Sequence, residues 1–235
     1  MSTHLRPTAA IAADVLLPGD PALALALAQE LLDKPLMANH SHGLWGYSGR
    51  TASGGELTIQ ATGIGGPSAA IVLGELAAHG ALRAVRVGRC RALDPGLEPG
   101  AIVVAASVTG ADGASRSLGA DPVPDAQLTA ALARLAEPAR AAAVASFDLL
   151  SDDAGDAAWR RADAAAVDLE SAALLAVGSR LGLRVACGLA VAQSAAGAAD
   201  EAATESALLR IGAAAAAALA EIAQAPRGVA EPRRC

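Results

Sequence analysis

The segment Ala61-Thr62-Gly63-Ile64-Gly65-Gly66-Pro67-Ser68 follows an apolar run, Leu57-Thr58-Ile59-Gln60, and precedes a helical pattern from Ala69 to His79. Glycines at such a strand-to-helix corner let backbone N–H groups approach a ligand closely, although a plain tight turn uses the same residues. Two further loops share this character. Leu16-Leu17-Pro18-Gly19-Asp20-Pro21 closes a first apolar run, and Val85-Arg86-Val87-Gly88 closes a third. Three loops carrying glycine or a buried charge therefore meet at one end of a sheet, the end where open α/β folds hold ligands.

The rest of the composition narrows the ligand. The 235 residues suffice for one large core, and 53% hydrophobic with 2% aromatic content means that the core is built of Ala, Val, Leu and Ile. A formal charge of -6 argues against nucleic acid, which calls for a basic stripe and stacking aromatics, so a small molecule is expected. Cys90, Cys187 and Cys235 have no metal-ligand spacing, and the first two lie in apolar runs, which suits a reduced, cytoplasmic setting. No metal cluster is expected, and no Ser/His/Asp or Cys/His set suggests covalent catalysis. Charges interrupt the alanine-rich segments, so no membrane span is expected.

Short apolar runs alternate with segments of helical period, which predicts an α/β fold with a largely parallel sheet between two helical layers. Strands are expected at Val15–Leu17, Leu57–Ala61, Ala84–Val87, Ala101–Ala106, Ala142–Phe147, Ala166–Leu169 and Arg184–Ala192. Helices are expected from Pro21 to about Leu32 with Asp20 as cap, from Ser68, over Asp125–Leu135, over Glu170–Leu181 with Gly182 as cap, and over Glu205–Ala223. Ser107–Pro124 and Ala195–Thr204 read as loops. Residues 1–225 are expected to form a single domain and 226–235 a disordered tail.

Taken together, these motifs resemble the nucleoside phosphorylase family, which contains uridine phosphorylase and the hexameric purine nucleoside phosphorylases. Leu17-Pro18-Gly19-Asp20-Pro21 is similar to the family's first phosphate loop, Thr62 to Ser68 to its glycine motif, and Arg86-Val87-Gly88 to its second phosphate loop. Val167-Asp168-Leu169-Glu170-Ser171-Ala172 is similar to its ribose-binding segment. The resemblance implies a three-layer α/β sandwich around a mixed, barrel-like sheet, and a homo-oligomer built from dimers, commonly a hexamer. It implies phosphorolysis of a nucleoside, with inorganic phosphate as co-substrate and no other cofactor.

By the same resemblance Gly19, Arg86, Arg89 and His42 fall to phosphate, and His4, Gly65, Leu169, Glu170 and Gln193 to the nucleoside. Arg86, Glu170 and Gln193 are the catalytic candidates. Arg86 offers a planar fork to two phosphate oxygens. As an arginine between two valines it alternatively serves a buried carboxylate. Glu170 accepts from the ribose hydroxyls and steadies a cationic sugar, or is an acid favoured by a helix dipole.

Several positions depart from the family. Leu23 stands where a phosphate-binding arginine is usual, and His42 where a neighbouring subunit donates one. Arg89 and Arg91 replace a small hydroxyl residue and a glycine, either restoring an anion site or plugging it. Gln193 replaces the aspartate with which purine-specific members protonate the base, and glutamine is no general acid. The uridine phosphorylase branch is the better match along Leu32-Asp33-Lys34-Pro35 and through Thr62 to Ser68, although the stretch Ser151–Ala166 is too short for that branch's uracil-reading insertion. These losses leave open a non-catalytic nucleoside-binding subunit, or a nucleosidase using water.

Overall fold

The computed structural model describes residues 3–149 and 153–224. Its strands are β1 (Asp14–Pro18), β2 (Leu32–Asn39), β3 (Gly46–Thr51), β4 (Glu56–Gln60), β5 (Arg83–Ala92), β6 (Ile102–Gly110), β7 (Ala139–Ser146), β8 (Ala166–Asp168), β9 (Arg184–Ser194) and β10 (Gly197–Ala198). The helices are α1 (Pro21–Leu31), α2 (Gly66–Ala78), α3 (Gly113–Leu118), α4 (Ala126–Leu135), α5 (Asp153–Arg161), α6 (Ser171–Leu181) and α7 (Glu201–Gln224).

The strands form one mixed sheet in the order β10-β9-β6-β7-β8-β5-β1-β4-β3-β2, and a further pairing of β9 with β5 closes β5, β8, β7, β6 and β9 into a barrel. Strand β1 runs parallel to both β4 and β5, and β5 parallel to β9, whereas β5 meets β8 and β6 meets β9 antiparallel. The three-layer sandwich around a barrel-like sheet is thus present. The sheet is more mixed than hydrophobic periodicity alone implies.

Alternation along the strands builds two cores. Leu16, Val85, Val87 and Val104 face α1, α4 and α7, while Val15, Leu17, Val103 and Val185 face α2 and α6. The caps follow local chemistry: Asp20 accepts from Ala22 N at 2.8 Å ahead of Pro21, and Gly182 closes α6 at φ 72°. Helix α7 is long and apolar enough to cross a membrane by length and composition, contrary to the expectation that charges interrupt every alanine-rich segment. Half of its apolar window is buried inside the protein, with Leu208, Ile211 and Leu219 in the core.

Three other expectations are corrected. Strand β5 does not end at Val87, because pairing with β9 through Arg91 and with β8 at Arg91 and Ala92 carries its ladder onward. Ser107–Pro124 is not all loop: β6 continues to Gly110 beyond a bulge, and Asp112 caps α3 by accepting from Ser115 N at 2.6 Å. Within Ala195–Thr204, β10 folds back on β9, and Asp200 accepts from Ala203 N at 2.6 Å at the start of α7. The tail and Cys235 lie outside the described residues.

A barrel of small side chains tolerates little added volume on its helix-facing side. A Cβ on Gly188 would lie 2.6 Å from Ile211 Cγ2 of α7. Gly188→Ala should therefore destabilise the fold by about 1–3 kcal/mol, read from denaturant unfolding; an unchanged midpoint would mean that α7 does not press on the barrel as described.

Candidate active site

Because β5, β1 and β4 are parallel neighbours and Pro18 pairs with Val87, the segments that follow β1 and β4, Gly19 and Thr62–Gly65, lie beside the Arg86–Gly88 stretch within β5. The first two are sewn to each other: Thr62 N donates to Pro18 O at 2.8 Å and Gly63 N to Gly19 O at 3.0 Å. Gly63 and Gly65 have φ of 73° and 84°, the left-handed region that glycine enters without penalty. Gly65 N then donates to Glu170 Oε1 at 2.8 Å, which ties the glycine loop to the start of α6.

Arg86 occupies the centre of this arrangement and is 3% exposed. Its Nε donates to Asp168 Oδ2 at 3.1 Å, and its Nη2 donates to Glu170 Oε2. The two acids come from the short β8 and the turn into α6, so one strand end supplies both partners. Burial alone would lower the Arg86 pKa, but the Glu170 and Asp168 carboxylates outweigh it and the net shift is upward, so the guanidinium stays charged. Arg86 Nη1 is buried without a hydrogen-bond partner. Gly88 makes room for this group, since a Cβ there would lie 2.6 Å from Arg86 Cζ.

Asp168 is saturated in a way Glu170 is not. It also accepts from Ser146 Oγ at 2.5 Å, from Ser171 N at 3.1 Å and from Ser171 Oγ at 2.7 Å. Glu170, with one bond to Gly65 and one to Arg86, uses only part of the roughly four lone-pair sites of a carboxylate. Leu169, half-buried, stands between the two acids.

Both readings of Arg86 therefore meet in one residue, a carboxylate-bound guanidinium that keeps one donor uncommitted. Arg89, exposed on the same strand, makes a bidentate pair with Glu201 of α7, at 3.1 Å from Nη1 and 2.5 Å from Nη2, and feels Asp20. Arg91 is bound by Asp156 of α5 on both oxygens. Leu23 packs against the α1/α7 core. Gln193 is exposed near the end of β9, opposite Ala198 of β10.

His4 Nδ1 bonds Glu75 Oε1 at 2.8 Å, and its ring lies 5.6 Å from that of His42, which is exposed at φ 58° in the turn Ser41–Gly43. The two histidines thus share one surface of the protomer. Trp159 of α5 packs on Phe147, with centroids 5.5 Å apart. Among the described residues, no group of three or more His, Cys, Asp or Glu side chains is placed to hold a metal ion.

Sequence reasoning placed Asp168 within a motif but gave it no role, and it overlooked Ser146, Glu201 and Asp156. An acid two positions before Glu170 at a strand end is a usable signal for the first. Glu201 and Asp156 lie 112 and 65 residues from their arginines and carry no local signal.

The phosphorylase superfamily model matches residues 14–225. The chain is 31% identical over 195 residues to the DeoD-type purine nucleoside phosphorylase of Geobacillus kaustophilus (strain HTA426), covering 78% of this chain and 82% of that protein. It is 29% identical over 207 residues to the protein of the same name from Clostridium novyi (strain NT), covering 83% and 88%. With the loops, the barrel and the Arg86–Glu170 cluster in that order along the chain, this protein belongs to the phosphorylase superfamily, as a member of the nucleoside phosphorylase family.

Proposed function

We propose that the chain cleaves the N-glycosidic bond of purine nucleosides by phosphorolysis, with inorganic phosphate as co-substrate and no other cofactor, releasing free base and a pentose 1-phosphate. The reading is carried by Arg86 Nη1, a buried donor without a partner, on a residue whose backbone pairs with Leu17 two positions before Gly19. Such a group costs free energy until an acceptor fills its site, and a phosphate oxygen is a suitable one. The purine preference rests on relatives named for purine nucleosides over most of this chain.

The reaction passes through a sugar of oxocarbenium character, so catalysis depends on positioning and on charge. Glu170 accepts the sugar hydroxyls on its open lone pairs and lies beside the developing cation. Gly19 N–H and Arg86 hold phosphate on the other side, and Gly65 and Leu169 border the nucleoside. Arg86 alone is outnumbered by Asp168 and Glu170, so a dianion needs a second cation. Arg89 supplies it, since its pair with Glu201 is solvent-exposed, with side chains 44% and 73% accessible, and such pairs are readily exchanged. Gln193 hydrogen-bonds the base without protonating it.

His4 and His42 serve a neighbouring subunit in a homo-oligomer of dimers. Ile64, 84% exposed within the glycine loop, is covered there. The setting is a reducing cytoplasm, in keeping with two buried thiols; burial pushes the Cys187 thiol up to about 12. A second reading, a subunit that binds nucleosides without turnover, is favoured by Leu23 packing into the core where the family places a phosphate arginine.

Incubating the protein with purine and pyrimidine nucleosides should release base only when phosphate is present. Release without phosphate would mean that water is the nucleophile, and binding without release would favour the second reading. Arg86→Met should raise the KM for phosphate by about 10- to 100-fold, while an unchanged KM would remove Arg86 from the anion site. With no acid at Gln193, a purine nucleoside already alkylated at N7 should turn over about tenfold faster or more than its parent, and equal kcat values would contradict unassisted departure of the base.

A further inference from the structure

The anion site needs Arg86 Nη1 to aim one way, and the cluster contains an acid whose bonds are all made within the protein. We propose that Asp168 is the positioning residue of Arg86: a fixed counter-charge that holds the guanidinium by its Nε edge, so that Nη1 stays presented to phosphate while Glu170 turns to the sugar. This inference rests on the phosphorylase reading and assigns a role within it.

The two acids differ in freedom. Asp168 is 5% exposed, its side chain fully buried, and it receives Arg86 Nε, Ser146 Oγ and both the N–H and hydroxyl of Ser171. With its lone pairs occupied, it has no capacity for a substrate hydroxyl. Ser146 is itself fixed, because its Oγ accepts from Ala172 N at 3.1 Å in the first turn of α6. Strand β7, strand β8 and helix α6 therefore converge on one carboxylate whose remaining contact is the arginine.

Glu170 is bound more loosely, by one backbone N–H and by Arg86 Nη2. If substrate hydroxyls draw Glu170 away, Arg86 would lose half its hold. An arginine has several rotatable bonds and, with no second partner, would then swing. Asp168 prevents this, and its bond to Nε fixes the plane of the guanidinium as well as its place.

Positioning and plain electrostatics predict opposite signs on removing the Asp168 charge. Without a buried negative charge next to Arg86, phosphate would bind more tightly if charge were all that mattered. If Asp168 aims the guanidinium, phosphate binds more weakly. Asp168→Asn should raise the KM for phosphate by about tenfold and leave the KM for nucleoside within about twofold. Ser146→Ala keeps the charge and removes one restraint, and should raise the phosphate KM by about threefold. Both are measured by initial rates on the intact protein, with melting temperature as a check on folding.

A lower or unchanged phosphate KM in Asp168→Asn, or a parallel rise in both KM values, would overturn the proposal. Should that variant fail to fold, an unchanged phosphate KM in Ser146→Ala would overturn it equally. A wild-type protein that releases base without phosphate would instead refute the phosphorylase reading, so the two failures are distinct.

Discussion

The buried guanidinium of Arg86 is the charge around which the candidate site is built. Arg86 is taken out of water within β5, and its charge is compensated by Asp168 and Glu170. Moving such an ion into the interior costs several kcal/mol, and removing one partner of a buried pair typically costs about 3–5 kcal/mol. The geometry must therefore be kept by the scaffold. Parallel pairing of β1, β4 and β5 aligns two loops with the middle of β5, closure of the barrel through β9 fixes β5 from its other side, and the end of β8 supplies two acids at the start of α6.

The cations that the resemblance assigns to the site are only partly kept in this arrangement. Leu23 lends α1 to the core instead of to a ligand, and Arg91 is committed to Asp156. The cations that remain near the Gly19 loop are Arg86, buried and held on two sides, and Arg89, exposed and held by Glu201. Their burial assigns them different work. A buried arginine keeps its direction and reads geometry, whereas an exposed one adds charge and adapts.

Much of the frame was legible from local chemistry. Asp20-Pro21, Asp125 and Gly182 mark helix ends because capping needs only neighbouring residues, and Val15–Leu17 or Arg184–Ala192 read as strands because continuous apolar runs suit a sheet covered on both faces. What escaped depended on distant partners. Strand β2, at the edge of the sheet, has its apolar residues interrupted by Asp33-Lys34-Pro35, and its neighbour β3 is largely glycine and polar, so no long apolar run announced them. Arg89 and Arg91 read as the start of a loop, yet they extend β5 because Glu201 and Asp156 neutralise them from far along the chain. For Arg86 the need for an anion was evident from its valine neighbours. That the chain itself supplies two carboxylates, and still leaves a donor over, was a matter of tertiary geometry.

The most direct test is a crystal structure of the protein with phosphate and a purine nucleoside bound. A phosphate oxygen within hydrogen-bonding distance of Arg86 Nη1, with Asp168 still on Nε and the sugar hydroxyls on Glu170, is the predicted result. Phosphate absent from that position, or seated elsewhere while Arg86 remains engaged only by its two carboxylates, would contradict the account.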